Sequence, residues 1–155
     1  MKYQILIDSP IGPLTLSGRE EALTALAFGD ARSEGDCPGG VLAQASRELT
    51  EYFAGTRRHF DVPLDPAGTD FQLAVWNALR DIPYGETASY QDIAVRVGRP
   101  RAAIAVGQAN SRNPIPVIIP CHRVIGKSGK MVGYTGGLHI KRALLAVEGI
   151  HLDEP

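Results

Sequence analysis

Cysteine is scarce in this chain, with only Cys37 and Cys121 in 155 residues. Two thiols build neither a disulfide framework nor a zinc cluster, so no such staple is expected to hold the fold. No metal or other cofactor is expected either. Long apolar runs are missing as well, and nothing approaches the roughly 18 consecutive apolar residues of a membrane span. The opening stretch "MKYQILIDSP" is interrupted by charges and a proline where a secretory signal keeps an apolar centre. A cytoplasmic chain with reduced thiols is the expectation. Internal repeats and low-complexity tracts are absent too. The most informative absence is acidic: no Asp or Glu lies between Asp92 and Glu148. That interval holds nine cations, namely Arg96, Arg99, Arg101, Arg112, Arg123, Lys127, Lys130, Lys141 and Arg142. A net charge of −1 conceals this asymmetry. A solvated basic face is the plain reading; a surface for a polyanion, nucleic acid above all, accounts for the clustering better.

What is present divides into two parts at the linker "DPAGTD", Asp65 to Asp70. Residues 1–66 read as a small antiparallel sheet with one helix. "KYQILI", "LTLSG" and "ALTALAF" are short β-inclined segments, and "SPIGP" is turn chemistry. "VLAQASRELTEYFAG" is an amphipathic helix, with Leu42, Ala45, Leu49, Tyr52 and Phe53 on one face. "RHFDVPLD" is expected to add an edge strand. Residues 67–155 read as mostly helical, so the class is α+β. "FQLAVWNALRDI" puts Phe71, Ala74, Val75, Ala78, Leu79 and Ile82 at helical spacing, and "IPYGET" is a turn. Ser89, with Asp92 three residues on, caps the helix "YQDIAVRVG" in a variant of the capping box. A second helix, "RAAIAVGQAN", follows the turn "GRP", and the pair predicts a helix-turn-helix. The Gly-rich "KSGKMVGYTGG" is placed for a wing. "LHIKRALLAVEG" closes the chain as a helix, with Ile140, Ala143, Leu144 and Val147 inward.

Between the helix-turn-helix and the closing helix lies "IPCHRVIG", which sets a thiol beside an imidazole and a cation. A lone buried cysteine is most often inert. This one sits inside a basic, helix-turn-helix unit, which raises a specific possibility: a thiolate that attacks alkyl carbon on DNA. Such chemistry needs a base, a partner that orients the base, and a pocket. His122 is the base candidate and Glu148 the partner candidate. Glu148 stands at the C-terminal end of its helix, where the macrodipole disfavours a carboxylate, which hints at another role. Asn113 and the glycines near Tyr134 are candidates to complete the pocket.

The stretches "IPYGETASY", "AVGQAN", "NPIPVIIPCHRVIG", "GYTGGL" and "KRALLAVEG" stand in one order and spacing. In these the chain resembles the O6-alkylguanine-DNA alkyltransferases (methylated-DNA–protein-cysteine methyltransferases), from Thr69 to Gly149 and more loosely before that. The resemblance implies a ribonuclease H-like N-terminal domain and a C-terminal DNA-binding and alkyl-acceptor domain. It implies a single-turnover repair protein that binds duplex DNA carrying alkylated guanine and flips the damaged base out. Cys121 would keep the alkyl group, taken from guanine O6 and also from thymine O4. His122, through a water, and Glu148 would relay the proton. Tyr90 would donate to guanine N3, and Asn113 would brace the turn. The backbone at Thr135 and the carbonyls of Cys121 and Val124 would read the base, with Tyr134 and Gly136 lining the pocket. Ala102, Ala103 and Gly107 would let the recognition helix lie close to the groove, and Arg99, Arg101, Arg112 and Arg123 would contact DNA. No membrane and no obligate protein partner is implied, and a monomer is expected, with cooperativity along DNA left open.

One departure stands out. The family carries an arginine in "RAVG" that fills the gap left by the flipped base; here the position is Ile104. An apolar side chain can wedge between bases but cannot hydrogen-bond the widowed partner. Arg101, one turn away, is a partial substitute. Ile104 keeps open a second reading, a lesion binder with weak duplex repair. A Cys-His hydrolase and an alkyl-sensing transcription factor are further alternatives. The first leaves the acid-free interval unexplained, and the second needs an added domain.

Overall fold

Three short strands open the chain: β1 (Tyr3–Ile7), β2 (Leu14–Gly18) and β3 (Leu23–Phe28). They form an antiparallel meander in the order β1-β2-β3, with Tyr3 opposite Gly18 and Leu14 opposite Phe28. The turn between β1 and β2 is closed by Ser9, whose Oγ donates to the Gly12 carbonyl at 2.6 Å. Gly12 has φ +101° there, a conformation that glycine adopts without strain. The computed structural model describes residues 2–126, 134 and 136–151. By its contacts the chain divides into two compact units, Met1–Ala67 and Gly68–Pro155.

In the first unit, helix α1 (Leu42–Phe53) lies on β1 and β2 and buries Leu42, Ala45, Leu49 and Tyr52, as its spacing predicts, whereas Phe53 at its end is only partly covered. Burying each leucine contributes roughly 1.5–3 kcal/mol. Glu48, on the same helix, is also buried. Its carboxylate accepts the backbone N–H groups of Asp61 and Val62, at 2.9 and 3.0 Å, and the Gln44 amide at 2.9 Å. This explains why the expected edge strand over "RHFDVPLD" does not form. Two of its donors go to Glu48, and Pro63 has none to give. What remains is a single parallel bridge between Leu64 and Leu23.

The second unit is helical, as expected. α2 (Asp70–Arg80) and α3 (Tyr90–Arg96) both begin with complete capping boxes, Thr69 with Gln72 and Ser89 with Asp92. Each box satisfies two backbone donors that a helix start would leave orphaned. On α2, Val75, Trp76, Ala78 and Leu79 are buried, whereas Ala74 is exposed. The inward face is rotated toward Trp76, whose indole N–H donates to the Ala109 carbonyl at 2.9 Å. α3 leads through Gly98 (φ +77°) into α4 (Ala103–Ser111). α4 starts two residues later than the sequence suggests, because the Ala102 N–H is used to close the turn onto Arg99. A two-residue strand β4 (Ala88–Ser89) pairs in parallel with β5 (Val124–Ile125), and this ties the start of α3 to the "CHRV" segment. α5 (Leu138–Val147) buries Ile140, Lys141, Leu144 and Leu145; Ala143 and Val147 are only partly covered. The wing expected over residues 127–137 lies mostly outside the described residues. Among the described residues, no helix is long and apolar enough to cross a membrane.

Candidate active site

Cys121 opens a single 3-10 turn, Cys121–Arg123, at the end of an almost fully buried segment. Asn113 shapes that segment, donating from Nδ2 to the Ile119 carbonyl at 2.8 Å and accepting from the Ile115 N–H at 2.9 Å. Within the loop, Val117 has φ +76°, which for a β-branched residue costs on the order of 1–3 kcal/mol. Its side chain is 1% exposed, so the surrounding packing holds it there. The Cys121 thiol is itself buried, and burial pushes its pKa up. Hydrogen bonds from Asn113 and Tyr134, and the nearby charge of Lys141, offset only part of that rise. Tyr90, half-buried at the start of α3, is also raised, by burial and then by its proximity to Cys121. It therefore stays protonated and available as a donor.

His122 and Glu148 meet as the sequence suggests, with Nε2 and Oε2 2.7 Å apart and both side chains fully buried. Burial lowers the His122 pKa, and Arg123 and Lys141 add to that effect against the pull of Glu148. The imidazole is thus neutral. An ionised carboxylate only accepts, so Nε2 carries the hydrogen and Nδ1 is left as the basic nitrogen.

The fate of Arg123 corrects the expectation that it contacts DNA. It is 6% exposed, and its Nε and Nη2 reach the two Glu148 oxygens at 2.8 and 3.1 Å. Its Nη1 donates to the Ile82 carbonyl at 2.7 Å. The reason is electrostatic: a carboxylate buried at a helix C-terminus requires a matched cation, and the planar guanidinium provides one in forked geometry. The Gly85 N–H adds a further bond to Glu148 Oε1 at 3.1 Å, and the Tyr84 hydroxyl donates to the Val147 carbonyl at 3.0 Å. Arg123 lies 5.9 Å from the centre of the Tyr84 ring. The turn "IPYGET" is therefore a clamp over Glu148, which sequence reasoning missed.

Lys141 was missed too. It is 0% exposed, and its Nζ donates to the Val124 carbonyl at 2.6 Å. A signal existed: Lys141 follows Ile140 and stands three residues before Leu144 on the inward face of α5. Asn110, buried at the end of α4, reaches the Cys121 carbonyl at 3.5 Å.

The cations of the acid-free interval separate into groups. Arg123 and Lys141 are internal, and Arg96 is paired with Asp81 at 2.8 Å. Lys127 and Lys130 lie outside the described residues, as does Thr135. Arg99, Arg101 and Arg112 are exposed, with the Arg99 guanidinium 5.7 Å from the centre of the Phe71 ring. Ile104 is 82% exposed in the first turn of α4, and Ala102 and Ala103 beside it are partly covered. Gly107 lies on α4 beside the Tyr90 ring, where a Cβ would stand in ordinary contact at 3.7 Å. Tyr134 and Gly136 frame the turn before α5, where the Gly137 N–H bonds the Tyr134 carbonyl at 2.9 Å. No group of three or more His, Cys, Asp or Glu suited to a metal occurs among the described residues.

Comparison with known proteins adds an independent line. The family model for the 6-O-methylguanine DNA methyltransferase, DNA binding domain, matches residues 70–150. The model for the ribonuclease-like domain of the same proteins matches residues 2–66. A methylated-DNA--protein-cysteine methyltransferase of Methanosarcina acetivorans is 50% identical, over 95% of this chain and 98% of its own length. One of Mycobacterium bovis is 54% identical, over 92% of this chain and 89% of its own. The crystal structure of Mycobacterium tuberculosis OGT in complex with DNA superposes with a TM-score of 0.87. It is 52% identical and covers 94% of this chain and 92% of its own.

Proposed function

The chain belongs to the 6-O-methylguanine DNA methyltransferase family, the methylated-DNA–protein-cysteine methyltransferases, and from that premise we propose how its own residues do the work. The protein repairs DNA by moving the alkyl group of O6-alkylguanine, and of O4-alkylthymine, to Cys121 in one irreversible turnover. One observation carries this reading: a thiol adjacent to a buried, oriented imidazole–carboxylate pair within a helix-turn-helix unit. His122 Nδ1 takes the thiol proton through a water, while Nε2–H stays bonded to Glu148. Sγ then attacks the alkyl carbon, the carbon–O6 bond breaks, and its electron pair goes to the guanine. Tyr90 donates toward N3 as that charge develops, and the Thr135 backbone N–H meets O6. The Cys121 and Val124 carbonyls read the exocyclic amine. Val124 O already accepts from Lys141 and keeps a second lone pair for this. Tyr134 and Gly136 line the pocket, and Asn113 braces the turn. Ala102 and Ala103 allow close approach of α4, Arg99, Arg101 and Arg112 neutralise phosphates, and Ile104 wedges into the stack. Residues 1–66 form the ribonuclease H-like domain and 67–155 the DNA-binding, alkyl-accepting one. It acts in the cytoplasm, as a monomer.

The lesion-binding alternative is not favoured, since the thiol is intact and the relatives at 50–54% identity are named as methyltransferases. The test is intact-protein mass after incubation with a duplex that contains O6-methylguanine. A single methylene increment on Cys121, absent in Cys121→Ser, supports the reading. Tight binding without an adduct, or multiple turnover, overturns it.

A further inference from the structure

A buried side-chain amide is costly unless both its ends are paired. Asn110, in the last turn of α4, is 4% exposed, and only one of its ends finds a partner. Its Oδ1 has no hydrogen-bond partner among the described residues. Its Nδ2 stands 3.5 Å from the Cys121 carbonyl oxygen, beyond the roughly 2.7–3.2 Å of a well-formed N–H···O bond. Turning the amide over would set its oxygen against the carbonyl oxygen, and both only accept, so the donor end faces Cys121. The same carbonyl also accepts the Val124 N–H that closes the 3-10 turn. A carbonyl oxygen has two lone pairs, so both directions of the Cys121 carbonyl are taken before any base arrives. Folding by itself gives no reason for this arrangement. Val106 and Ala109 share the buried side of α4, and an apolar residue at position 110 would leave no orphaned atom there.

We infer that Asn110 is a specificity-determining residue: it stands in for the exocyclic amine of the base at the Cys121 carbonyl, and so opens the pocket to alkylated bases that have no such amine. The inference rests on the proposed function, in which that carbonyl reads the 2-amino group of guanine. Guanine brings an N–H donor of its own. The Asn110 contact yields to it at little cost, since a bond of 3.5 Å holds weakly. O6-alkylhypoxanthine and O4-alkylthymine bring no donor to this point. Without Asn110 they would leave a buried carbonyl with one lone pair unpaired, and a buried acceptor that loses a partner is the expensive case. In thymine an acceptor, O2, takes the place of the amine. Nδ2 carries two hydrogens, so it can serve that oxygen and the Cys121 carbonyl together. Asn110 takes no part in the proton relay; it acts through the carbonyl that the base meets.

The experiment compares wild type with Asn110→Leu, a change of similar shape that removes the amide. Second-order rate constants for methyl transfer to Cys121 are read by intact-protein mass from two oligonucleotides that differ only in the 2-amino group, one with O6-methylguanine and one with O6-methylhypoxanthine. Single strands are used, so that extrusion from a duplex plays no part. In wild type the two rates should lie within about threefold of each other. In Asn110→Leu the hypoxanthine rate should fall at least about fivefold relative to the guanine rate, the size of one lost hydrogen bond. The variant should melt no lower than wild type, since the orphaned oxygen leaves with the amide. An unmoved ratio in folded Asn110→Leu overturns the inference, because a merely structural asparagine would change melting temperature but not the preference between bases. A second measurement keeps the amide in place. The side-chain amide resonances of Asn110 are followed in Cys121→Ser, which lacks the thiol, as each oligonucleotide is added. Their hydrogens should lose protection from exchange with O6-methylguanine, whose amine displaces Nδ2, and keep it with O6-methylhypoxanthine; the same response to both refutes the role. If wild type takes no methyl group from O6-methylguanine, the proposed function fails, whereas the resonances need binding and no transfer and still decide the role of Asn110.

Discussion

Replacing Ile104 by arginine isolates the step at which this chain departs from its family. The side chain is 82% exposed, so the substitution removes no core packing, and stability should stay within about 0.5 kcal/mol of wild type. Extruding a paired base costs a few kcal/mol, and an apolar wedge returns part of this by burial. Fully burying an isoleucine contributes roughly 1.5–3 kcal/mol. It leaves the hydrogen-bonding edge of the orphaned base in the stack unpaired. An arginine in the same place offers charged donors, and a hydrogen bond to a charged group contributes about 1.5–3 kcal/mol net. Two such bonds, about 3–6 kcal/mol, set against the apolar burial lost, leave a gain on paired DNA of about 1.5–3 kcal/mol, at least tenfold in rate. Free O6-benzylguanine needs no extrusion, so its rate should not change. The assay is the pair of second-order rate constants for transfer to Cys121, from a duplex oligonucleotide and from the free base. Ile104→Ala completes the set: it removes the wedge and should slow the duplex reaction alone. Equal effects of Ile104→Arg on both substrates would refute the reasoning, since the position would then act on the thiol or the fold. A duplex rate unchanged in both variants would show that nothing enters the stack at this position.

Three further outcomes follow from the charges. Arg123→Met leaves the Glu148 carboxylate buried without its fork, which should cost about 3–5 kcal/mol in urea denaturation. The salt dependence of DNA binding should be unaltered, because Arg123 is internal. Neutralising Arg99, Arg101 or Arg112 should instead reduce the slope of log affinity against log salt by about 0.9 each, uniformly across sequences. A slope that falls with Arg123 and not with these would reverse the assignment. Folding confines His122 to its neutral form and depresses its pKa below 6.5. The unfolded chain therefore binds the extra proton first. The stability contributed by the buried neutral ring is complete above 6.5 and is lost as pH falls from there toward the folded value. Denaturant midpoints at pH 7.5 and 5.5 measure this loss, which His122→Asn should reduce.

The parts of this protein that a reader of the sequence can derive are those fixed by near neighbours. Thr69 with Gln72 and Ser89 with Asp92 are three residues apart, so both capping boxes, and the helices they start, are legible in order. The same holds for the face of α1, for the turn at Ser9–Gly12, and for the adjacency of Cys121 and His122. Glu148 was legible from a local misfit, a carboxylate at a helix C-terminus. What the tertiary structure alone decided is which way equivalent side chains turn. Arg99 and Arg123 are the same residue type in the same acid-free interval, yet one is solvated and the other lies 2.8 Å from Glu148. That partner is remote in sequence, as is the Gly85 N–H that bonds the same carboxylate. Lys141 reads as a surface cation until the β4–β5 pairing brings the Val124 carbonyl against α5. "RHFDVPLD" reads as a strand until Glu48 claims its donors. Composition counts charges without regard to depth, whereas burial makes each buried charge and each backbone donor find a specific partner, and that partner is chosen by the fold.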